Sequence, residues 1–391
     1  MYDFDRAMTL HLAGRYEESN MYLEKAEIKI DELFTKSITS EAGAMLTNDN
    51  LLPYEGENFE KVMVNVFAAL NYVYMGKWDD ALVEARKVDH KLNVFNDKYD
   101  EKNVYKEDAY ARYLTGILYE AKKELNDAFI AYRKAFDVYE EYYRDYGTPM
   151  PPTLPQDLLR TSEALGMTVE HSSYREKFPH VKWISQKEFD ELGELIFFSY
   201  NGRSPVKEDY FITVPVHDKN GKTSFFRMAL PKFKPLLNNI AYTNVTLTGP
   251  GEGSISQEAF LVEDITAIAK KNLEDRIVRI TAKAAARAIS KFLLSRKIKK
   301  KAQNNPLASI LADIGTTIYS FVSEQSDKRS WRTLPDQIMM VRVAIPPGPY
   351  TVAVEYYSAG RNLLHRKEYR VTINSGEKKF LNYRFLGAMK Q

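Results

Sequence analysis

Apolar residues recur every three or four positions from Phe4 to about Tyr143, the spacing that lays one stripe along a helix. From Leu195 the period falls towards two, the signature of strands, and after Ala259 it returns to the helical value. The first region divides into three helical hairpins, at 4–36 with a break at Gly14, at 59–95, and at 104–147. Residues 37–56 and the polar stretch 96–103 read as connections. Behind the proline-rich break at Pro149, Pro151, Pro152 and Pro155, a further helix pair is expected at 158–165 and 171–177. Runs at 195–200, 210–216, 223–230 and 242–248 predict one small sheet, with Asn201-Gly202 as a hairpin turn. A long helix at 259–301 and a partner helix at 307–323 follow. Alternating runs at 339–345, 350–357, 365–373 and 379–385 then predict an antiparallel sheet, half of a sandwich.

The hairpins share a finer pattern. Ala69 and Tyr72 stand three apart on one helix, Gly76 and Trp78 mark a turn, and Ala81, Ala85 and Val88 follow at four and three. Gly116, Tyr119, Ala128, Tyr132 and Ala135 repeat the scheme, and Ala7, Leu10, Gly14, Tyr16, Ser19, Leu23 and Ala26 give a weaker copy. Small residues at these places let antiparallel helices approach closely while an aromatic ring fills the wedge. This is the pattern of tetratricopeptide repeats, although Ala7, Ala69 and Gly116 lie farther apart than the strict period of about 34 residues.

The fold class expected is therefore α+β: N-terminal helical repeats of the tetratricopeptide kind, a middle segment with a small sheet and a long helix pair, and a C-terminal antiparallel sheet. The corresponding domains are 1–147, 148–335 and 336–391.

Charge changes this picture in one respect. The formal net charge of +2 conceals an acidic repeat half, with 29 acidic against 19 basic residues from Met1 to Gly147. Basic residues concentrate in 265–305, ending in the run Arg296, Lys297, Lys299, Lys300 and Lys301. That run suits a helix C-terminus, or contact with an anionic membrane surface. It lacks the interleaved aromatics of a nucleic-acid site, and no nucleic-acid partner is expected. The chain has no cysteine, which excludes disulfides, thiolate metal sites and a cysteine nucleophile. Met1 leads directly into the first helical pattern without a leader, and no stretch is apolar enough to span a membrane.

Local chemistry is sparse. Six histidines are scattered with no HxxxH or HExxH spacing, so no metal site is expected. Neither a nucleophile elbow nor a phosphate-binding loop is present, and Gly249-Pro250-Gly251-Glu252-Gly253 reads as a flexible loop. No catalytic residue, cofactor or enzymatic activity is expected. The repeat groove is more informative. Its candidate partner-binding residues are Met63, Val66, Leu70, Val73, Tyr110, Tyr113 and Ile117, an apolar face where a carboxylate-binding groove would carry Lys, Arg and Asn. Either the chain covers that face itself, with helix 265–292 or 307–322 as the expected cover, or an apolar partner segment enters it.

Two further stretches join the candidate partner site. One carries Asn201, Gly202, Arg203, Pro205 and Lys207; the other carries Arg329, Trp331 and Arg332. Together with Gly193-Glu194-Leu195-Ile196, Arg279, Lys283, Arg287, Val341-Arg342-Val343 and Pro346-Pro347-Gly348, they resemble an uncharacterised family of bacterial cell-envelope lipoproteins with N-terminal tetratricopeptide repeats. The resemblance implies a periplasmic protein anchored to the outer membrane by a lipidated cysteine, often encoded beside small lipoproteins that become its partner candidates. Neither the leader nor that cysteine is present in this sequence. The function expected is a non-catalytic adaptor or scaffold of the envelope that binds a protein partner through its repeats. The alternative is a polysaccharide-binding protein or enzyme with a site between the repeat and β domains, where Tyr200, Tyr210, Trp331, Arg332 and Tyr356 would meet sugars.

Overall fold

The computed structural model describes residues 1–39, 53–98, 105, 107–217, 223–250, 253–278, 280–282, 285 and 325–388. The fold is α+β, with helices in the N-terminal half and sheets in the C-terminal part.

Four helical hairpins come first: α1 (Tyr2–Leu12) with α2 (Tyr16–Thr39), α3 (Asn58–Tyr74) with α4 (Trp78–Lys98), α5 (Ala109–Ala121) with α6 (Leu125–Tyr146), and α7 (Leu154–Ala164) with α8 (Thr168–Lys177). All four turn in the same way. Just past the first helix a residue takes positive φ, and its own amide and the next one return to the helix's last carbonyls. Gly14, Gly76 and Gly166 occupy this left-handed position at φ 73, 74 and 66°. The paired bonds are Gly14 N to His11 O with Arg15 N to Leu10 O, and likewise at Gly76–Lys77 and Gly166–Met167. In the third hairpin Lys123 takes the position at φ 64° and makes the same two bonds.

Within the hairpins the small residues allow close approach. A Cβ on Gly116 would lie 2.4 Å from the Tyr132 ring. The wedge between α5 and α6 is thus filled by Tyr132, while Tyr119 stays at the periphery of the core.

After the short helix α9 (Gln186–Glu191) come β1 (Gly193–Asn201), β2 (Arg203–His217), β3 (Thr223–Leu236), β4 (Tyr242–Thr248), β5 (Ser254–Glu258) and β6 (Phe260–Asp264). Helix α10 begins at 265 and is described to 278; the expected helical start at 259 is therefore corrected, because 260–264 pairs in a sheet. The partner helix expected at 307–323 and the basic run 296–301 lie outside the described residues. Strands β7 (Gln337–Ile345), β8 (Gly348–Tyr357), β9 (Leu363–Ile373) and β10 (Lys378–Phe385) complete the chain.

The eight expected strands are present, β5 and β6 are additional to them, and the pairing differs. Two four-stranded sheets, ordered β10-β1-β7-β6 and β5-β4-β8-β9, pack face to face, and β2-β3 forms a separate ribbon. The four middle strands do not make one sheet. Asn201-Gly202 is not a hairpin turn either, since β1 and β2 never pair and the Gly202 amide bonds to Phe385 O. Nor do the last four strands form one antiparallel sheet. β7 joins the first sheet, β8 and β9 the second, and β10 runs parallel to β1. Both sheets draw strands from either side of residue 335, so that boundary does not separate packing units.

The reason is β1, whose nine residues are all buried. Leu195 and Phe197 enter the core between the two sheets, with Val352 and Val354. Ile196, Phe198 and Tyr200 enter the core under the helices. A continuous apolar run is what a strand buried on both faces requires. The molecule is three layers deep here: helices, sheet, sheet. Among the described residues no helix is long and apolar enough to cross a membrane.

Candidate functional site

The apolar groove of the helical hairpins is filled by the chain itself. Met63, Leu70, Tyr110, Tyr113 and Ile117 are fully buried, and Val66 and Val73 nearly so. Internal cover is what the area argument demands, but most of the cover is a sheet. The Tyr110 ring meets Phe198 edge-on at 6.0 Å, and Phe67 meets Tyr200 at 5.7 Å. Helix α10 contributes Ile265, Ile268, Ala269 and Leu273 to the same core. Trp331 closes the end of the groove, stacked on Phe4 at 4.8 Å, with its amide donating to Glu60 Oε1 at 2.7 Å.

The second set of candidates is equally committed. Asn201, Gly202 and Pro205 are buried. The Lys207 side chain, 5% exposed, pairs through its ammonium with Glu57 at 2.5 Å. Arg329 pairs with Asp327 and lies over the Tyr54 ring, while Arg332 is exposed. Arg203 is half-buried beside them. Tyr200, Trp331 and Tyr356 are buried and Tyr210 is exposed, so the aromatic residues suggested for sugar stacking do not share an open surface.

Sequence reading missed the most charged part of the interior. Where α5 and α7 meet the first sheet, three acids and three bases are enclosed. Arg342 on β7 donates to Asp157 on α7 at 2.6 Å and to Glu194 on β1 at 2.8 Å. Lys378 on β10 pairs with Glu194 at 2.5 Å and Glu120 at 2.8 Å. Arg160 bonds both Glu120 and Asp157, the latter at 2.7 Å, and lies 3.9 Å from the Phe189 ring centre. The Tyr113 hydroxyl donates to Asp157 at 2.9 Å. Burial would raise the Glu120 carboxyl, but Arg160 and Lys378 outweigh it and hold it far below the usual carboxylate range. Six charges that sum to zero and bond one another form a clamp between helices and sheet. The adjoining void, about 10 Å3, has room for roughly one water. A signal existed: a lone Arg inside Met339-Met340-Val341-Arg342-Val343 and a Glu heading an apolar run must find partners once buried.

Two more polar groups lie deep. At the start of α3, Glu57 meets Lys207 and Arg276; burial works against ionisation, yet these cations hold its pKa at about 2. On β6, an irregular register between Leu261 and Glu263 sends Glu263 inward. Both its carboxylate oxygens are buried without a hydrogen-bond partner. Burial, and then the nearby Asp108, raise its pKa well above normal. Asp108 itself is raised to about 6, chiefly by burial. Among the described residues no group of three or more His, Asp or Glu side chains forms a metal-binding set.

An open site lies on the other side of the helical hairpins. Helix α2 is tied to α3 by Asn71, which donates to Ser19 at 2.9 Å, and beside that contact a surface cleft of about 320 Å3 opens, lined by Glu17, Met21, Glu24, Val64, Ala68 and Tyr72 among others. This is the size of a small ligand pocket, about 300–1,000 Å3. Its floor is apolar, with Val64 and Ala68 buried, and Met21 on the rim is 53% exposed. One end is closed by a charge lattice: Lys87 bonds Glu27 and Glu84, each at 2.9 Å, and Lys91 bonds Glu27 at 2.7 Å. These pairs hold the Glu27 carboxyl at about 2 against the cost of its burial.

No family model, no curated protein and no solved structure matches this chain.

Proposed function

We propose that this protein is a non-catalytic adaptor of the bacterial cell envelope. Its helical hairpins are read as tetratricopeptide-type repeats, and they bind a protein partner through their outer surface. The observation carrying this reading is the open cleft between α2 and the α3–α4 hairpin, on a repeat array whose inner face is already occupied. Four hairpins with one turn geometry, and the Gly116–Tyr132 approach, support the repeat assignment. A buried charge clamp whose groups neutralise each other supports a structural role for the interior. The envelope location, the outer-membrane anchor and small lipoproteins as partners rest on the sequence resemblance alone.

The test is affinity capture from bacterial envelope extracts on the immobilised chain, run beside the exposed-rim variant Met21→Asp. The reading expects a defined protein retained by the wild type and lost from the variant. Equal retention by both would move the partner site away from the cleft, and retention of nothing would count against an adaptor.

A further inference from the structure

The chemistry of the cleft narrows what enters it. On α2, Glu17, Met21 and Glu24 recur at four and three residues, so they face the cleft together over roughly 10 Å of helix. Glu17 and Glu24 form no ion pair among the described residues, in contrast to Glu27 and Glu84 at the closed end. The floor beneath this acidic wall is apolar, and Ala68 gives it depth where any longer side chain would fill it. Lys77 at the hairpin turn is a cation on the lining that is not bound into the lattice.

We propose that the cleft receives a cationic amphipathic segment of a partner protein. One bulky apolar side chain sits over Ala68 against Val64 and Tyr72, and Lys or Arg residues on either side of it meet Glu17 and Glu24. This deepens the adaptor reading and rests on it. Charge complementarity selects the occupant: an anionic segment would face like charge across the wall, and a neutral polar one would leave the apolar floor unfilled. A second copy seated symmetrically would bring the same acidic wall against itself.

The experiment uses the whole chain and a fluorescent helical peptide of leucine and lysine, with leucines at three- and four-residue spacing. Two control peptides replace lysine by glutamate or leucine by serine. At about 50 mM salt, fluorescence anisotropy should show the lysine–leucine peptide binding about tenfold or more tightly than either control. The double variant Glu17→Lys/Glu24→Lys, altered only on the surface, should lose little of its melting temperature, the loss coming from Glu17 in the first turn of α2, and bind about tenfold more weakly. Ala68→Phe should abolish binding by filling the floor; if it unfolds, the surface variant still decides. Unchanged binding by the double variant, equal binding of the acidic control, or no binding of the cationic peptide would each overturn the proposal. A dimer in solution that the double variant dissociates would do so too, by naming a second copy as occupant. Failure here, while Met21→Asp still loses a partner from extracts, would reject the cationic segment and leave the adaptor reading intact.

Discussion

Arg342 on β7 lies 2.6 Å from Asp157 on α7, across 185 residues of chain, and both side chains are at most 5% exposed. The contact joins the last third of the sequence to the fourth hairpin, so the helices and the sheets hold one another in place. Arg342→Leu would leave Glu120, Asp157 and Glu194 facing only Arg160 and Lys378. An excess buried negative charge should cost about 3–5 kcal/mol. The expected result is a large fall in the urea midpoint, partly recovered in mild acid as one carboxyl takes up a proton. A loss below about 1 kcal/mol, the scale of an exposed pair, would show that the clamp is solvated.

The close approach of α5 and α6 gives a second prediction. A methyl group at Gly116 would be 2.4 Å from Tyr132, so Gly116→Ala should destabilise by about 1–3 kcal/mol through overpacking. In a Tyr132→Ala background that penalty should nearly vanish. A double-mutant cycle with no coupling between the two positions would refute the steric account.

How far these features could be read beforehand depends on the range of the interaction. The hairpins were legible because their determinants are local: Gly116 and Tyr132 lie one helix apart, and Gly14 and Gly76 mark turns by themselves. Eight of the strand positions were equally legible, since alternation is a property of a few neighbours; β5 and β6, five residues each, are too short to show it. Strand partners were not. Nothing near Gly193–Asn201 says that it pairs with Lys378–Phe385 at the end of the chain. Its nine-residue burial was written in the apolar run Leu195-Ile196-Phe197-Phe198, but this reads as a strand in any sheet. The covering of the groove followed from area; its identity as a sheet depended on that same long-range pairing. Charged side chains are harder still. Lys378 looks like a surface residue until the fold encloses it, Arg342 is marked by its apolar neighbours but names no partner, and the acidic wall becomes a cleft lining only once α2 is set beside α3.

A third prediction separates the turns. Lys123 holds the left-handed position that glycine holds in the other hairpins, at φ 64°. Its ammonium pairs with Asp190 at 2.5 Å, but with both side chains well exposed that pair adds little. Lys123→Gly and Lys123→Ala both lose the pair and differ in backbone strain. The glycine variant should be the more stable by about 1 kcal/mol, measured by urea denaturation. Equal stability would mean that the turn relaxes out of the left-handed region.

The buried carboxyl of Glu263 makes stability depend on pH in a definite sense. Its pKa is raised well above the normal value by burial and then by Asp108, and Asp108 is itself raised to about 6. The unfolded chain releases these protons near pH 4, at ordinary carboxylate values. Between there and the raised folded values the native state binds more protons than the unfolded state. Stability is then greatest below the unfolded pKa and falls as pH rises through the folded ones. Glu263→Gln replaces the protonated acid with a neutral isostere that cannot titrate, while Asp108 keeps the raised pKa that its own burial gives it. Near pH 4 the variant should match the wild type. Above about pH 6 it should be the more stable, and the fall between those values should be shallower. Guanidinium unfolding at a series of pH values reads both quantities; parallel curves for the two proteins would show that Glu263 is ionised in the folded state and finds a partner there.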